Sequence, residues 1–117
     1  MDQLGYVGFS WGSAMAPVML TMEARVKASV LISGGLMLPP TQPEVDPFNF
    51  LPRIRAPTLM INSPNDYFFP LELSQRPFYQ FLGAEPKDSV LLKGGHLPPI
   101  NDVARETLDW LDRFPVP

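Results

Sequence analysis

The chain predicts an α/β fold built on a parallel sheet, and three observations carry that prediction. Four short apolar, β-prone runs alternate with helix-like runs along 117 residues. The four runs are continuously apolar rather than alternating, the mark of strands covered on both faces. Glycine pairs and prolines stand between the periodic segments as turn punctuation. Strand–helix alternation of this kind implies right-handed crossovers between parallel neighbours.

The first strand is Leu4 to Phe9. Gly12 to Ala24, rich in Ala, Met and Leu, predicts the first helix, with Pro17 weakening or kinking its second turn. Ala28 to Ser33 is the second strand, ended by Gly34-Gly35. Met37 to Pro57 holds prolines 39, 40, 43, 47, 52 and 57 and predicts a loop, with one short turn over Pro47 to Leu51. Thr58 to Asn62 is the third strand. Pro70 to Leu82 predicts a helix with Pro in its first turn and Gly83 at its stop. Ser89 to Leu92 is the fourth strand, ended by Gly94-Gly95. Asn101 to Phe114 predicts the last helix, capped by Asn101 or Asp102. Val103, Ala104, Thr107, Leu108 and Leu111 form its apolar face, and Trp110 flanks it.

Composition narrows the function. The length suits a single domain, residues 1–117, with a modest core. Charged residues make up 18%, against roughly 25% in ordinary soluble domains, which predicts that part of the surface is hidden in an interface. The net charge of −3, without a basic patch, argues against nucleic acid as a partner. The chain has no cysteine, so disulfides and thiolate metal sites are excluded, and a reducing, cytoplasmic setting is expected. No apolar run approaches the ~18 residues of a membrane span. The N-terminus lacks the charged-then-apolar pattern of a secretory signal.

Gly8-Phe9-Ser10-Trp11-Gly12 is a G-x-S-x-G pentapeptide lying between the first strand and the first helix. In that context the motif is a nucleophile elbow: a tight turn strains the serine and lifts its hydroxyl clear of the sheet edge. A Cβ at Gly8 or Gly12 is expected to crowd the turn. The Trp11 N–H, at a helix N-terminus, is placed to donate to an oxyanion. A serine that merely caps a helix is the bland alternative.

Asp66 follows the third strand, at the same C-terminal sheet edge as Ser10, where sites form in open α/β sheets. Taken alone it reads first as a turn former or as a cap for the helix at Pro70. Asp46 and Glu44 are rival acids in the proline-rich loop. His96, the only histidine, follows the fourth strand and two glycines. A lone histidine is more often structural than catalytic. Here, however, the chain order is Ser, Asp, His, each just past a strand end, which is the order of one hydrolase fold and not of the two protease folds. Phe9, Trp11, Leu36, Met37, Tyr67 and Phe68 are candidates for an apolar substrate wall, or else plain core or interface. The triad chemistry needs no cofactor and no metal.

On these residues the chain resembles the C-terminal half of an α/β-hydrolase of the dienelactone-hydrolase and prolyl-oligopeptidase-like group. It also resembles the hydrolase-like domain at the C-terminus of some bacterial proteins carrying a serine/threonine-kinase domain. The matching segments are Gly8 to Gly12, Ser33-Gly34-Gly35, Pro43 to Phe50, Asp66 to Pro70, Gly95-His96 and Asp109 to Arg113. The resemblance implies the last four strands of the family's sheet, with Ser10 as nucleophile, Asp66 as acid and His96 as base. It also implies a loss, because the loop after the family's third strand, which supplies the second oxyanion N–H, has no counterpart here. One missing donor costs about 10²–10³ in turnover, so weak activity is expected.

The expected activity is hydrolysis of small, short-acyl carboxylic esters. A peptidase or amidase of the oligopeptidase type, or a non-catalytic half-domain made for association, are the alternatives. The Leu4–Phe9 strand, central in the family's sheet, becomes an open apolar edge here. A second copy pairing there about a two-fold axis would rebuild an eight-stranded sheet, so a homodimer or larger homo-oligomer is expected.

Overall fold

The computed structural model of the chain describes residues 4–37, 42 and 46–114. Four parallel strands lie in sequence order: β1 (Leu4–Phe9), β2 (Val26–Ile32), β3 (Thr58–Asn62) and β4 (Lys87–Leu91). The helices are α1 (Trp11–Ala14), α2 (Ala16–Met22), α3 (Arg76–Phe81) and α4 (Ile100–Asp112), joined by a 3-10 helix at Pro47–Arg53 and a π turn at Leu71–Gln75. The predicted α/β class with four parallel strands flanked by helices is the observed one. Glu44, with Pro43 and Val45, lies outside the described residues.

Neighbouring residues along β2 and β3 point to opposite faces, and both faces are covered. Leu31 and Met60 pack with Ala16, Leu20, Leu51, Ile54, Phe78 and Leu82 on one side. Val30, Ile32, Leu59 and Ile61 pack with Val103 and Trp110 on the other. The expectation of coverage on both faces therefore holds for β2 and β3 only. In β1, Val7 and Phe9 are exposed; in β4, Asp88, Ser89 and Leu91 are. Among the described residues each of these strands has one paired neighbour, so its side chains find fewer elements to pack against.

Several element boundaries differ from the sequence reading, each for a local reason. Pro17 lacks an N–H and cannot sit inside a continuous helix, so the first helix divides at Met15, and Pro17 falls in the first turn of α2. Likewise Pro77 lies in the first turn of α3, and the turns before it open to π geometry, in which the Pro70 carbonyl accepts from Ser74 and Gln75 N–H groups at 2.9 and 3.1 Å. Ser33 has φ 54° and so leaves β2 rather than ending it. The short turn at Pro47 runs two residues further, to Arg53.

α4 corrects two expectations. It has no Asn or Asp side-chain cap; Pro99 stands at the N-cap and its carbonyl accepts from Val103 at 3.1 Å. Asp102 is instead spent on Arg105, one turn on, at 3.1 Å. The inward face centres on Val103 and Trp110, while Ala104 and Leu108 face solvent. Trp110 is thus the anchor of the helix, not its flank, since the large ring fills the space over β2 and β3 that Leu108, two residues before, is turned away from.

The parallel register aligns the strand C-termini in one row. Phe9 sits beside Ile32, Ile32 beside Ile61, and Asn62 beside Leu91. Whatever follows these residues by a few positions is therefore gathered at one edge.

Candidate active site

Ser10 is the first residue past β1 and takes φ 56°, ψ −109°, the left-handed region that a side chain rarely tolerates. Hydrogen bonds hold it there. Its N–H donates to the Ile32 carbonyl at 2.8 Å, and its carbonyl accepts from Ser13 and Ala14 N–H groups at 3.0 Å each. The buried Ser13 hydroxyl lies 2.8 Å from the carbonyl oxygens of both Gly8 and Ile32, which share its one proton. The Tyr6 hydroxyl donates to the Gly12 carbonyl at 2.7 Å, and burial pushes the Tyr6 phenol pKa up. Gly8 is required by close approach, for a Cβ there would lie 2.8 Å from the Gly12 carbonyl oxygen. Gly12 is not, since a Cβ there would meet nothing nearer than the Tyr6 hydroxyl at 3.8 Å. The expectation that both glycines keep the turn clear therefore holds for Gly8 alone, because Gly12 turns its carbonyl, and not its Cβ position, toward β1.

Asp66 is 1% exposed and divides its carboxylate between two tasks. Oδ1 accepts the N–H groups of Phe68 (2.9 Å) and Phe69 (3.2 Å), which is the turn-forming role foreseen as the alternative. Oδ2 lies 2.8 Å from His96 Nδ1. On the far side of the same ring, His96 Nε2 is 2.7 Å from Ser10 Oγ. His96 reaches this position through a loop in which Gly94 takes φ 97°, and the Ser63 hydroxyl donates to the Gly94 carbonyl. With Nδ1–H facing a carboxylate, the tautomer that leaves Nε2 as acceptor is favoured. A proton can then pass from Ser10 Oγ to His96 Nε2, with Asp66 beside the resulting imidazolium.

Of the predicted residues, Ser10, Asp66 and His96 come together. Asp46 does not join them; its side chain accepts from Phe48 N–H at 3.0 Å and caps the 3-10 helix. Phe9 and Phe68 lie against His96, with ring centroids 5.5 and 4.7 Å away. Tyr67 stacks on Phe68. Trp11, next to Ser10, is largely exposed. Among the described residues no hydrogen bond uses its N–H. Leu36 packs against the core cluster and exchanges hydrogen bonds with Ser74, and Met37 after it is half-buried.

Three contributors escaped the sequence reading. Ser13 locks the elbow, the buried Phe69 ring stands 6.0 Å from His96, and Gln75 ties down the Asp66 turn by donating to the carbonyls of Ser63 and Phe69 at 2.8 Å each. Only Ser13 carried a local signal, as the serine immediately after the G-x-S-x-G motif. A concavity of about 430 Å³ between β3, β4 and α3 is lined by Met60, Leu71, Tyr79 and Leu91 among others and contains none of the three triad-ordered residues. Among the described residues no group of three or more His, Cys, Asp or Glu could hold a metal ion, and no helix is long and apolar enough to cross a membrane.

The parallel sheet with a strained serine between β1 and α1 defines the core of an α/β-hydrolase, in partial form. The profile of the serine hydrolase (FSH1) family matches residues 3–108, and the chain belongs to that family. Comparison with curated protein sequences gives no significant match. Among solved structures, the chain is similar to a cold-adapted esterase from an Arctic intertidal metagenomic library (TM-score 0.79, 21% identity, 94% of this chain and 48% of that one). It is similar also to an esterase of Pyrococcus furiosus (TM-score 0.78, 18% identity, 97% and 54%). A third likeness is to the acylaminoacyl peptidase of Pyrococcus horikoshii (TM-score 0.75, 22% identity, 97% and 24%). The chain thus spans about half the length of the two esterases and a quarter of the peptidase. At these identities the likeness establishes the fold.

Proposed function

We propose that the chain is a serine carboxylester hydrolase acting on small, short-acyl esters. The observation that carries this reading is the unbroken line from Ser10 Oγ through His96 to Asp66, with contacts of 2.7 and 2.8 Å. Ser10 attacks the ester carbonyl while His96 Nε2 takes its proton; Asp66 orients the ring and stabilises its cation. The Trp11 N–H donates to the oxyanion. Each donor of this kind is worth about 10²–10³ in turnover, so a site that relies on the Trp11 N–H alone is expected to be slow. Water then resolves the acyl-enzyme with His96 as base. The motif segments support placing the chain beside the dienelactone-hydrolase and oligopeptidase-like enzymes, and the absence of cysteine suits a reducing cytoplasm.

Hydrolysis of short-chain nitrophenyl esters by wild type and Ser10→Ala tests this reading. Wild type is expected to exceed the variant by a factor of at least about 10³, and a fluorophosphonate is expected to label wild type only. Equal rates with no labelling would leave the association half-domain as the standing reading. The likeness to an acylaminoacyl peptidase keeps amides in view. Faster cleavage of a nitroanilide than of the matching nitrophenyl ester would favour the peptidase alternative.

We also propose that β1 is the seam of a two-fold homodimer. Among the described residues β1 pairs on one side only, and the exposed Val7, Phe9, Met19 and Met22 lie on it and on α2. A second β1 running antiparallel would satisfy the open N–H and C=O groups.

A further inference from the structure

The acylation step fixes which side of the site takes the alcohol half of an ester. Once Ser10 Oγ has bonded to the carbonyl carbon, its proton resides on His96 Nε2. That nitrogen must then pass the proton to the leaving oxygen as the ester C–O bond breaks. The alcohol therefore departs past the imidazole ring, and what surrounds that ring decides which alcohol is welcome.

The surroundings are aromatic. Phe68, Phe9 and Phe69 place ring centroids 4.7, 5.5 and 6.0 Å from the His96 ring. Tyr67 lies on Phe68 with centroids 5.0 Å apart and planes 19° from parallel. Phe69 is buried, but Phe68 is 63% and Tyr67 82% exposed, so two stacked rings stand open to solvent beside the proton donor. The backbone that carries Phe68 is fixed, since the Asp66 carboxylate that faces His96 also accepts the N–H of Phe68 and of Phe69, and the Tyr67 ring lies on Phe68. Exposed apolar surface that is contiguous, fixed and next to a reactive group is the property of a binding face. A preorganised aromatic face loses little entropy on taking a flat apolar partner.

We propose that this shelf binds the alcohol half of the substrate, and that the site takes esters of aryl-bearing alcohols whose ring stacks on Phe68 and Tyr67. The inference rests on the serine-hydrolase reading and deepens it. The balance is that of ordinary ester hydrolysis. The Ser10 Oγ–carbon bond forms, the ester C–O bond breaks, and the alcohol leaves with the proton from His96. Water then adds to the acyl carbon, its proton passes through His96 to Ser10 Oγ, and the acid is released.

Benzyl acetate and cyclohexylmethyl acetate share the acyl group and have alcohols of similar acidity, but only one alcohol is flat. Wild type is expected to favour the benzyl ester in kcat/KM by about fivefold, the size of an aromatic pairing beyond simple burial. In Tyr67→Ala/Phe68→Ala that ratio should fall to about one, whatever happens to the absolute rates, because reading a ratio cancels any damage to His96. A wild-type ratio of about one, or a ratio unmoved by the double substitution, overturns the proposal.

If neither ester is cleaved in a Ser10-dependent way, the hydrolase reading fails, and the shelf is read separately. Benzyl alcohol is titrated into Ser10→Ala while the ring protons of His96, the only histidine, are followed by NMR. A saturable upfield shift that cyclohexylmethanol does not produce, and that Phe68→Ala abolishes, supports the aromatic shelf. Equal responses to the two alcohols overturn it.

Discussion

Asp66 shows how one buried side chain can hold both the shape and the chemistry of a loop. One oxygen fixes the turn by accepting from Phe68 and Phe69; the other faces His96. Asp66→Asn should separate the two. An asparagine oxygen can still accept the backbone N–H groups, while its NH₂ meets His96 Nδ1 and forces the wrong tautomer. The fold is expected to survive, with ester turnover down about 10⁴; circular dichroism and steady-state rates check both halves. The elbow glycines make a second residue-level contrast. Gly8→Ala should cost about 1–3 kcal/mol by overpacking, whereas Gly12→Ala, whose Cβ would make only an ordinary contact with the Tyr6 hydroxyl on a helical backbone, should be neutral or stabilise by about 0.4–1 kcal/mol. Urea unfolding of the two variants measures the difference. The motif made Ser10 legible, but it treated its two glycines alike. Only the approach of the α1 backbone to β1 distinguishes them.

Among the elements, α4 gives the sharpest test of which face is buried. Trp110 is 4% exposed, packs over β2 and β3 with Val103, and has the Arg113 guanidinium 4.7 Å from its ring. Trp110→Ala should cost about 3–5 kcal/mol. Leu108→Ala, at a position 61% exposed, should stay within about 0.5 kcal/mol. Thermal or denaturant unfolding of both reads the result, and a larger loss at Leu108 would mean that α4 docks by its other face. Sequence periodicity located this helix to within two residues but centred its face wrongly. Apolar spacing reports that a stripe exists; the choice between adjacent stripes belongs to the ring that best fills the groove on the sheet. Pro17 was easier to read, because a missing N–H acts locally and divides its helix wherever the rest of the chain goes; Pro77 divides the Pro70–Leu82 segment in the same way, which the continuous helix expected there did not allow for.

The whole molecule is a thin slab, 38 × 36 × 19 Å, one sheet with a helical layer on each face. Among the described residues β1 is paired on one side only, and it leads directly into the turn that holds Ser10. If β1 is the seam of a homodimer, sedimentation equilibrium of the 117-residue chain should return twice its 13.1 kDa mass. A folded, stable monomer at micromolar concentration would refute that pairing. By itself, the sequence determined four strands in parallel alternation with helices, the elbow at Ser10, and the order Ser10, Asp66, His96. Each of these follows from propensity, turn chemistry and missing donors within a few consecutive residues. The tertiary structure alone decided that the three side chains meet within hydrogen-bonding distance, that Asp66 fixes its own turn with the oxygen not facing His96, and that Phe68 and Tyr67 stand open beside the imidazole. Those outcomes depend on the register that aligns the ends of β1 to β4 and on the loops that fold back over that edge, distances that no local pattern encodes.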